Sequence, residues 1–273
     1  MSLSDLPPLR EVLAEHGLMA NKAFGQHFLL DLNVTRKIAR LAGDLDDVTV
    51  IEVGPGPGGL TRALLEAGAV VTAVEKDARF IPLLTELGEA ADGRLTVVEG
   101  DALKVDESAL SHGAPAKVIS NLPYNVGTPL LIKWLTGPFR PTSMTLMFQK
   151  EVAQRIVAPV GSDAYGRLAV IAQATASAEI VMDLPARAFT PPPKVASAVV
   201  NVVPLPDPPE PVLLKALERV TAAAFGQRRK MLRSSLKALG GEALCAAAGL
   251  DANVRAEVVP VEGFLRLAAA VGG

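Results

Sequence analysis

A single cysteine, Cys245, in 273 residues leaves no internal disulfide and no thiolate cluster for a metal. Histidine is nearly as scarce: His16, His27 and His112 lie far apart in sequence, so no metal-binding motif is visible. Long apolar runs are missing as well. The uncharged stretch Leu168–Ala178 stops at Glu179, too short to cross a bilayer. The N-terminus carries Asp5, Arg10 and Glu11 among prolines, where a signal peptide needs an apolar core. Charge of one sign is also lacking, since 27 Lys and Arg against 29 Asp and Glu leave a net charge of −2. These absences lead to the expectation of a cytoplasmic protein with no metal and no membrane partner. What is present is enough to fold: 49% of the residues are hydrophobic, and the length suits one large domain plus a small one.

The chain alternates strand and helix patterns. Val48–Val53 is a β-rich run that ends in Gly54-Pro-Gly-Pro-Gly-Gly59, and Leu60–Ala67 follows with helical spacing. Glycines let a ligand approach the backbone closely, and the next helix N-terminus favours polar or anionic groups. Gly54, Gly56 and Gly59 also satisfy a dinucleotide fingerprint, so this loop does not choose between NAD and another adenosine-bearing cofactor. The next strand, Val70–Glu75, ends in an acid about twenty residues after the first glycine, where a carboxylate accepts from ribose hydroxyls. A third strand, Leu95–Val98, leads to Asp101, suited either to an adenine amino group or to capping a loop.

A fourth strand runs out through Val118-Ile-Ser-Asn-Leu-Pro-Tyr-Asn125. Asn121 offers a carbonyl acceptor, Pro123 a backbone carbonyl without an N–H, and Tyr124 a flat ring. Two acceptors beside a ring can hold a planar base by its exocyclic amine; the same residues also suit an ordinary turn. All four strand ends would open on one edge of a parallel sheet, where such folds bind ligands. Further on, Phe189-Thr-Pro-Pro-Pro-Lys-Val195 is a stiff loop between two strands, and it can hold Phe189 as a fixed stacking surface or simply anchor a connection. Those strands suggest an antiparallel pair at the edge of a mostly parallel sheet. Asn33 is the expected cap of a helix over 34–41. The Pro-rich stretch 204–211 marks a boundary between domains 1–205 and 206–273. Beyond it, helices are expected over 213–225 and 229–239, the second carrying a basic patch. No acid occurs between Glu218 and Glu242, whereas Arg219, Arg228, Arg229, Lys230, Arg233 and Lys237 do.

Taken together, Gly25-Gln-His-Phe-Leu29, Glu52-Val-Gly-Pro-Gly-Pro-Gly58, Asn121-Leu-Pro-Tyr124, Gln149-Lys-Glu-Val152, Tyr165-Gly-Arg-Leu168, the triple-proline loop and Phe225-Gly-Gln-Arg-Arg-Lys230 closely resemble the KsgA/RsmA-type ribosomal RNA adenine N6,N6-dimethyltransferases. The likeness runs in order from about residue 21 to 240. It implies an α/β fold: a seven-stranded, mostly parallel sheet of the Rossmann-like class I methyltransferase kind with a small all-helical C-terminal domain. It implies S-adenosylmethionine as methyl donor, no metal, and two adjacent adenines in the 3'-terminal hairpin loop of small-subunit ribosomal RNA as substrate, within the small-subunit particle. Residues 1–205 would then be the methyltransferase domain with an N-terminal cofactor-covering segment, and 206–273 the RNA-binding one.

The cofactor set implied by the resemblance is His27, Leu29, Gly54, Gly56, Glu75, Lys76, Asp101, Ala102 and Asn121. Asn121 and Pro123 would hold the target amine, with Tyr124 and Phe189 stacking on the base. Arg228, Arg229, Lys230 and Arg233 would contact RNA. Many members have Asn at the position of His27. Rival readings are a macrolide-resistance type methyltransferase acting on large-subunit RNA, a DNA adenine methyltransferase, an NAD-dependent oxidoreductase and a ribosome-assembly factor. A monomer is the default.

Overall fold

The structure, a computed structural model, describes residues 3–20 and 26–272. Nine strands are formed among them: β1 Phe28–Leu29, β2 Thr49–Val53, β3 Val70–Glu75, β4 Leu95–Glu99, β5 Ala116–Asn121, β6 Ser143–Gln149, β7 Ala176–Leu184, β8 Phe189–Thr190 and β9 Ser197–Pro204. Seven of them build one sheet in the order β4-β3-β2-β5-β6-β9-β7. The pairs β4/β3, β3/β2, β2/β5 and β5/β6 are parallel, and β9 runs antiparallel to β6, from Met144↔Val202 to Gln149↔Ser197. A central parallel strand is covered on both faces and so needs an unbroken apolar run. Accordingly Val50, Ile51, Val118 and Ile119 are fully buried. β2 and β5 are neighbours although an α-β-α-β-α stretch separates them in sequence. The strand order reverses there, and a crevice opens beyond their C-terminal ends.

The helices beside this sheet are α1 Leu9–Glu15, α2 Leu32–Leu41, α3 Gly59–Glu66, α4 Ile81–Glu89, α5 Glu107–Leu110, α6 Gly127–Thr136 and α7 Lys150–Ile156. The cap of α2 differs from expectation. Asp31, not Asn33, is the N-cap, and its carboxylate accepts from the Asn33 N–H at 2.9 Å, so the helix starts two residues earlier. Both residue types can cap, and the chain uses the one with a charge for the helix dipole.

The chain divides into two compact units. The first holds most of the sheet and residues up to Trp134. The second comprises Leu135–Pro138, Gln154–Ala178 and Pro204–Gly273, so the Pro-rich stretch is one of several crossings and not a single boundary at residue 205. The reason lies in its core. Ala158, Tyr165, Ala169 and Val170, on and before α8 (Arg167–Thr175), cluster with Leu217, Val220, Phe264 and Leu267. These last belong to α9 (Pro211–Gly226) and to the final helix over Val261–Gly272. The buried Tyr165 hydroxyl donates to the Val259 carbonyl at 3.0 Å.

The helix expected over 229–239 is broken. Only α10 (Leu232–Ser235) and a single 3-10 turn, Lys237–Leu239, form there, before α11 (Gly241–Ala247) and α12 (Val261–Gly272). Backbone amides that a helix would use internally are taken elsewhere. The Lys230 N–H closes a turn on Gln227, and the Leu232 and Arg233 N–H groups donate to Val254 and Ala252. Met231 also bridges Arg255.

Candidate active site

The crevice at the strand ends encloses a cavity of about 240 Å³ within the first unit. Its lining brings together nine of the residues expected from sequence: His27, Leu29, Gly54, Gly56, Glu75, Lys76, Asp101, Ala102 and Asn121. Pro123 and Tyr124 join them; Phe189 does not. Gly25, at the start of the N-terminal motif, lies outside the described residues.

The glycine loop leaves β2 and turns into α3. Gly54 has φ +68°, a left-handed conformation, and a Cβ there would sit 3.1 Å from the Pro123 ring. The two loops close tightly on each other at position 54, where a side chain would press on the Pro123 ring in a backbone conformation that already favours glycine. Glu75 ends β3, and its carboxylate accepts from the Gly56 N–H at 2.9 Å and from the Asp77 N–H at 2.8 Å. Burial raises its pKa, and these backbone donors oppose the rise. A carboxylate has about four acceptor positions, so these backbone donors leave room for a ribose hydroxyl. Asp101, after β4, accepts from Lys76 Nζ at 2.9 Å and from the Leu103 N–H at 3.1 Å. Its pKa is lowered first by Lys76. The Ala102 carbonyl accepts from Lys133 Nζ at 3.0 Å, leaving this residue's other atoms to face a ligand.

The Asn121 amide is oriented by the chain itself. Its Nδ2 donates to the His27 backbone carbonyl at 3.2 Å, and its Oδ1 is left to accept. The Tyr124 hydroxyl bonds Ser197 Oγ on β9 at 2.6 Å, and its pKa is raised by burial. His27 lies over Tyr124 with ring centroids 5.4 Å apart, and its Nδ1 meets the Pro191 carbonyl at 2.8 Å. Its side chain is thus tied to the triple-proline loop and to the tyrosine.

Two expectations need correction. The Pro123 carbonyl accepts from the N–H groups of Val126 and Gly127, both at 3.1 Å, so the turn that begins α6 occupies both its lone pairs. Phe189 is only 3% exposed; it sits on β8 opposite Leu29 of β1 and packs in the apolar core with Leu184 and Val199. Its ring is packed into that core and is not part of the cavity lining.

Three further lining residues have roles that the sequence did not show. Leu122 lines the cavity between Asn121 and Pro123. Gly59 is where a Cβ would collide with the Leu29 carbonyl oxygen, so the β1 ribbon can lie across the loop only over a glycine. Glu52, on β2, is 1% exposed, lines the cavity, and has an Oε2 with no hydrogen-bond partner. In the sequence it stands at the head of the glycine motif, where a glutamate inside an otherwise apolar parallel strand runs against that strand's burial. A buried, unpartnered carboxylate at the wall fits a ligand that brings a cationic group, and the acid at the end of β3 fits one that brings a ribose. Among the described residues no cluster of His, Cys, Asp and Glu is arranged for a metal, and no helix is long and apolar enough to cross a membrane.

This sheet order, with its antiparallel β9 and its acid-tipped strands around a glycine loop, is that of the Rossmann-like class I methyltransferases. The solved 23S rRNA methyltransferase ErmE has the same fold at TM-score 0.66, with 27% identity over 89% of this chain and 99% of that one. A dimethyladenosine transferase from Plasmodium falciparum superposes at TM-score 0.73 with 24% identity over 88% of this chain and 96% of that one. The chain belongs to the ribosomal RNA adenine dimethylase family, whose profile matches residues 17–271. It is 73% identical to the ribosomal RNA small subunit methyltransferase A of Phenylobacterium zucineum over 98% of this chain and 94% of that protein. The Rhizobium meliloti protein of that name is 59% identical over 98% of both chains.

Proposed function

We propose that this protein transfers methyl groups from S-adenosylmethionine to the N6 amines of two adjacent adenines in the 3'-terminal hairpin loop of small-subunit ribosomal RNA. The observation that carries this reading is the fixed amide of Asn121 beside the anchored ring of Tyr124, at the cavity wall. Glu75 would hold the donor's ribose, and Asp101 with Ala102 its adenine. When bound, the donor supplies an activated methyl group on a sulfonium.

The adenine amine is a poor nucleophile because its lone pair is delocalised into the ring. Asn121 Oδ1 accepts one amino hydrogen and draws the nitrogen toward a pyramidal geometry. With the Pro123 carbonyl occupied, the second hydrogen falls to the Leu122 carbonyl, one residue earlier and on the lining. Tyr124 stacks on the base once it has left its RNA stack. Positioning of this kind can contribute on the order of 7–11 kcal/mol at ideal geometry. No strong base is needed, since the amine proton becomes acidic as the nitrogen is methylated and passes to solvent. Arg229, Lys230 and Arg233 are exposed and would meet RNA phosphates.

The test is transfer of labelled methyl from S-adenosylmethionine to undermethylated small subunits, with large subunits and duplex DNA as controls. Label mapped as N6,N6-dimethyladenine in small-subunit RNA is the expected result. Label confined to large-subunit RNA would instead place the protein with the resistance methyltransferases, and donor binding with no label on any substrate would leave a binding role in assembly.

A further inference from the structure

Glu52 takes no part in holding the base or the ribose, yet its position is costly. A carboxyl group that is 1% exposed with an unpartnered Oε2 forfeits hydration without replacing it. Its surroundings compensate only in part. From β3 comes Glu75, a charge of the same sign. From α3 comes Thr61, whose hydroxyl favours the charged carboxylate, although its oxygen and Glu52 Oε2 both remain without a hydrogen bond of good geometry. From β5 comes Asn121, whose amide is engaged with His27. His27 itself is bound to Pro191. Among the described lining residues Lys76 is the one permanent cation, and it is paired with Asp101.

We propose that Glu52 is a proton-linked counter-ion for the methyl donor: it carries a proton in the free protein, and binding of the cationic donor expels that proton to solvent and leaves a carboxylate facing the ligand's positive charge. The inference rests on the S-adenosylmethionine reading of the cavity. Burial pushes the Glu52 carboxyl up to about 8, with the charge of Glu75 adding to the rise. A bound cation acts in the opposite direction and lowers it. Below pH 8 donor binding must therefore displace a proton, so affinity rises with pH, at most about tenfold per unit, and levels off above 8.

The donor's own amino group titrates in the same range, so the comparison of wild type with Glu52→Gln isolates the protein's contribution. Calorimetry of the full chain with S-adenosylmethionine at pH 7, in phosphate and in Tris, reads the protons released from the difference in heat. Wild type is expected to release close to one more proton than Glu52→Gln, whose affinity should change little between pH 6.5 and 8 beyond the ligand's own titration. Infrared difference spectra of wild type provide a second readout that needs no variant: donor addition should remove one protonated-carboxyl absorption. Equal release by both proteins, or an unchanged carboxyl absorption, overturns the proposal while the donor reading stands. Failure of wild type to bind S-adenosylmethionine removes both together.

Discussion

At the scale of single residues, Asn121 and Gly59 answer to different physics. Asn121 contributes one acceptor placed by a hydrogen bond to a backbone carbonyl. Preorganised polar groups of this kind are worth on the order of 10²-fold in kcat. The donor, by contrast, would lose one ordinary hydrogen bond, about 1 kcal/mol. Asn121→Ala is therefore expected to lower kcat about 10²-fold while donor affinity falls less than about tenfold; steady-state kinetics with small subunits and calorimetry with the donor separate the two. A loss confined to affinity would remove Asn121 from the chemistry. Gly59→Ala places a methyl group against the Leu29 carbonyl, and neither backbone can yield without lifting β1 from the loop. Overpacking of this sort costs about 1–3 kcal/mol, visible as a lower Tm, with donor affinity falling as well because Leu29 lines the cavity. An unchanged Tm would mean that the ribbon is free to move. Asn121, Glu75 and Asp101 were legible in the sequence because each follows a strand pattern and opens on the same edge. Gly59 was visible as a glycine, but its reason was not, since the obstructing atom lies thirty residues away in sequence. Phe189 misled for a related reason: an aromatic before three prolines suits a surface platform and a buried ribbon equally, and pairing with Leu29 decided it.

At the scale of elements, the basic segment shows how tertiary hydrogen bonds override a helical pattern. The charges at 228–237 fit a helix, but Val254 and Ala252 recruit the amides of Leu232 and Arg233, and the segment becomes a turn followed by one helical turn. Its arginines thereby take different tasks. Arg228 Nη2 donates to the Asp163 carbonyl at 2.7 Å, and its Nε lies 3.5 Å from the Glu257 carboxylate. The local absence of acids in the sequence concealed that partner, which arrives from a distant turn. Arg229 and Lys230 are exposed on the same turn. Substituting Arg228 by Ala is expected to lower Tm by loosening this unit. Reversing charge at Arg229 and Lys230 should leave Tm in place and weaken binding to small-subunit RNA. The dependence of log K on log salt should become shallower by about one for each phosphate that the protein no longer neutralises. If the double charge reversal left both affinity and salt slope intact, RNA binding would have to be sought on another surface.

At the scale of the whole molecule, the carboxylates pull stability in opposite directions with pH. Asp77, held chiefly by Arg79 and also by Gln26, and Glu66, held chiefly by Arg36, have lowered pKa values. Their contribution is full above the unfolded values and is lost as pH falls through the folded ones, which sets the acid limit. Glu52 acts in reverse. Its folded value of about 8 lies above its ordinary 4.5, so its contribution is full below 4.5 and is lost as pH rises toward 8. Between those limits the unfolded chain releases the proton and the folded chain keeps it, and the free protein becomes steadily less stable. Gln is nearly isosteric with protonated Glu and has no charge to lose. Glu52→Gln is thus expected to match wild type near pH 5 and to show a higher Tm at pH 8.5 when no donor is present. Saturating S-adenosylmethionine should narrow or reverse that advantage, because a ligand that binds the folded state stabilises it in proportion to its affinity, and the wild-type carboxylate offers the cation a counter-charge. Thermal melts at both pH values, with and without donor, decide the matter: a Glu52→Gln variant less stable than wild type at pH 8.5 without donor would mean that the buried acid serves the fold, and an advantage untouched by donor would mean that it does not serve the ligand.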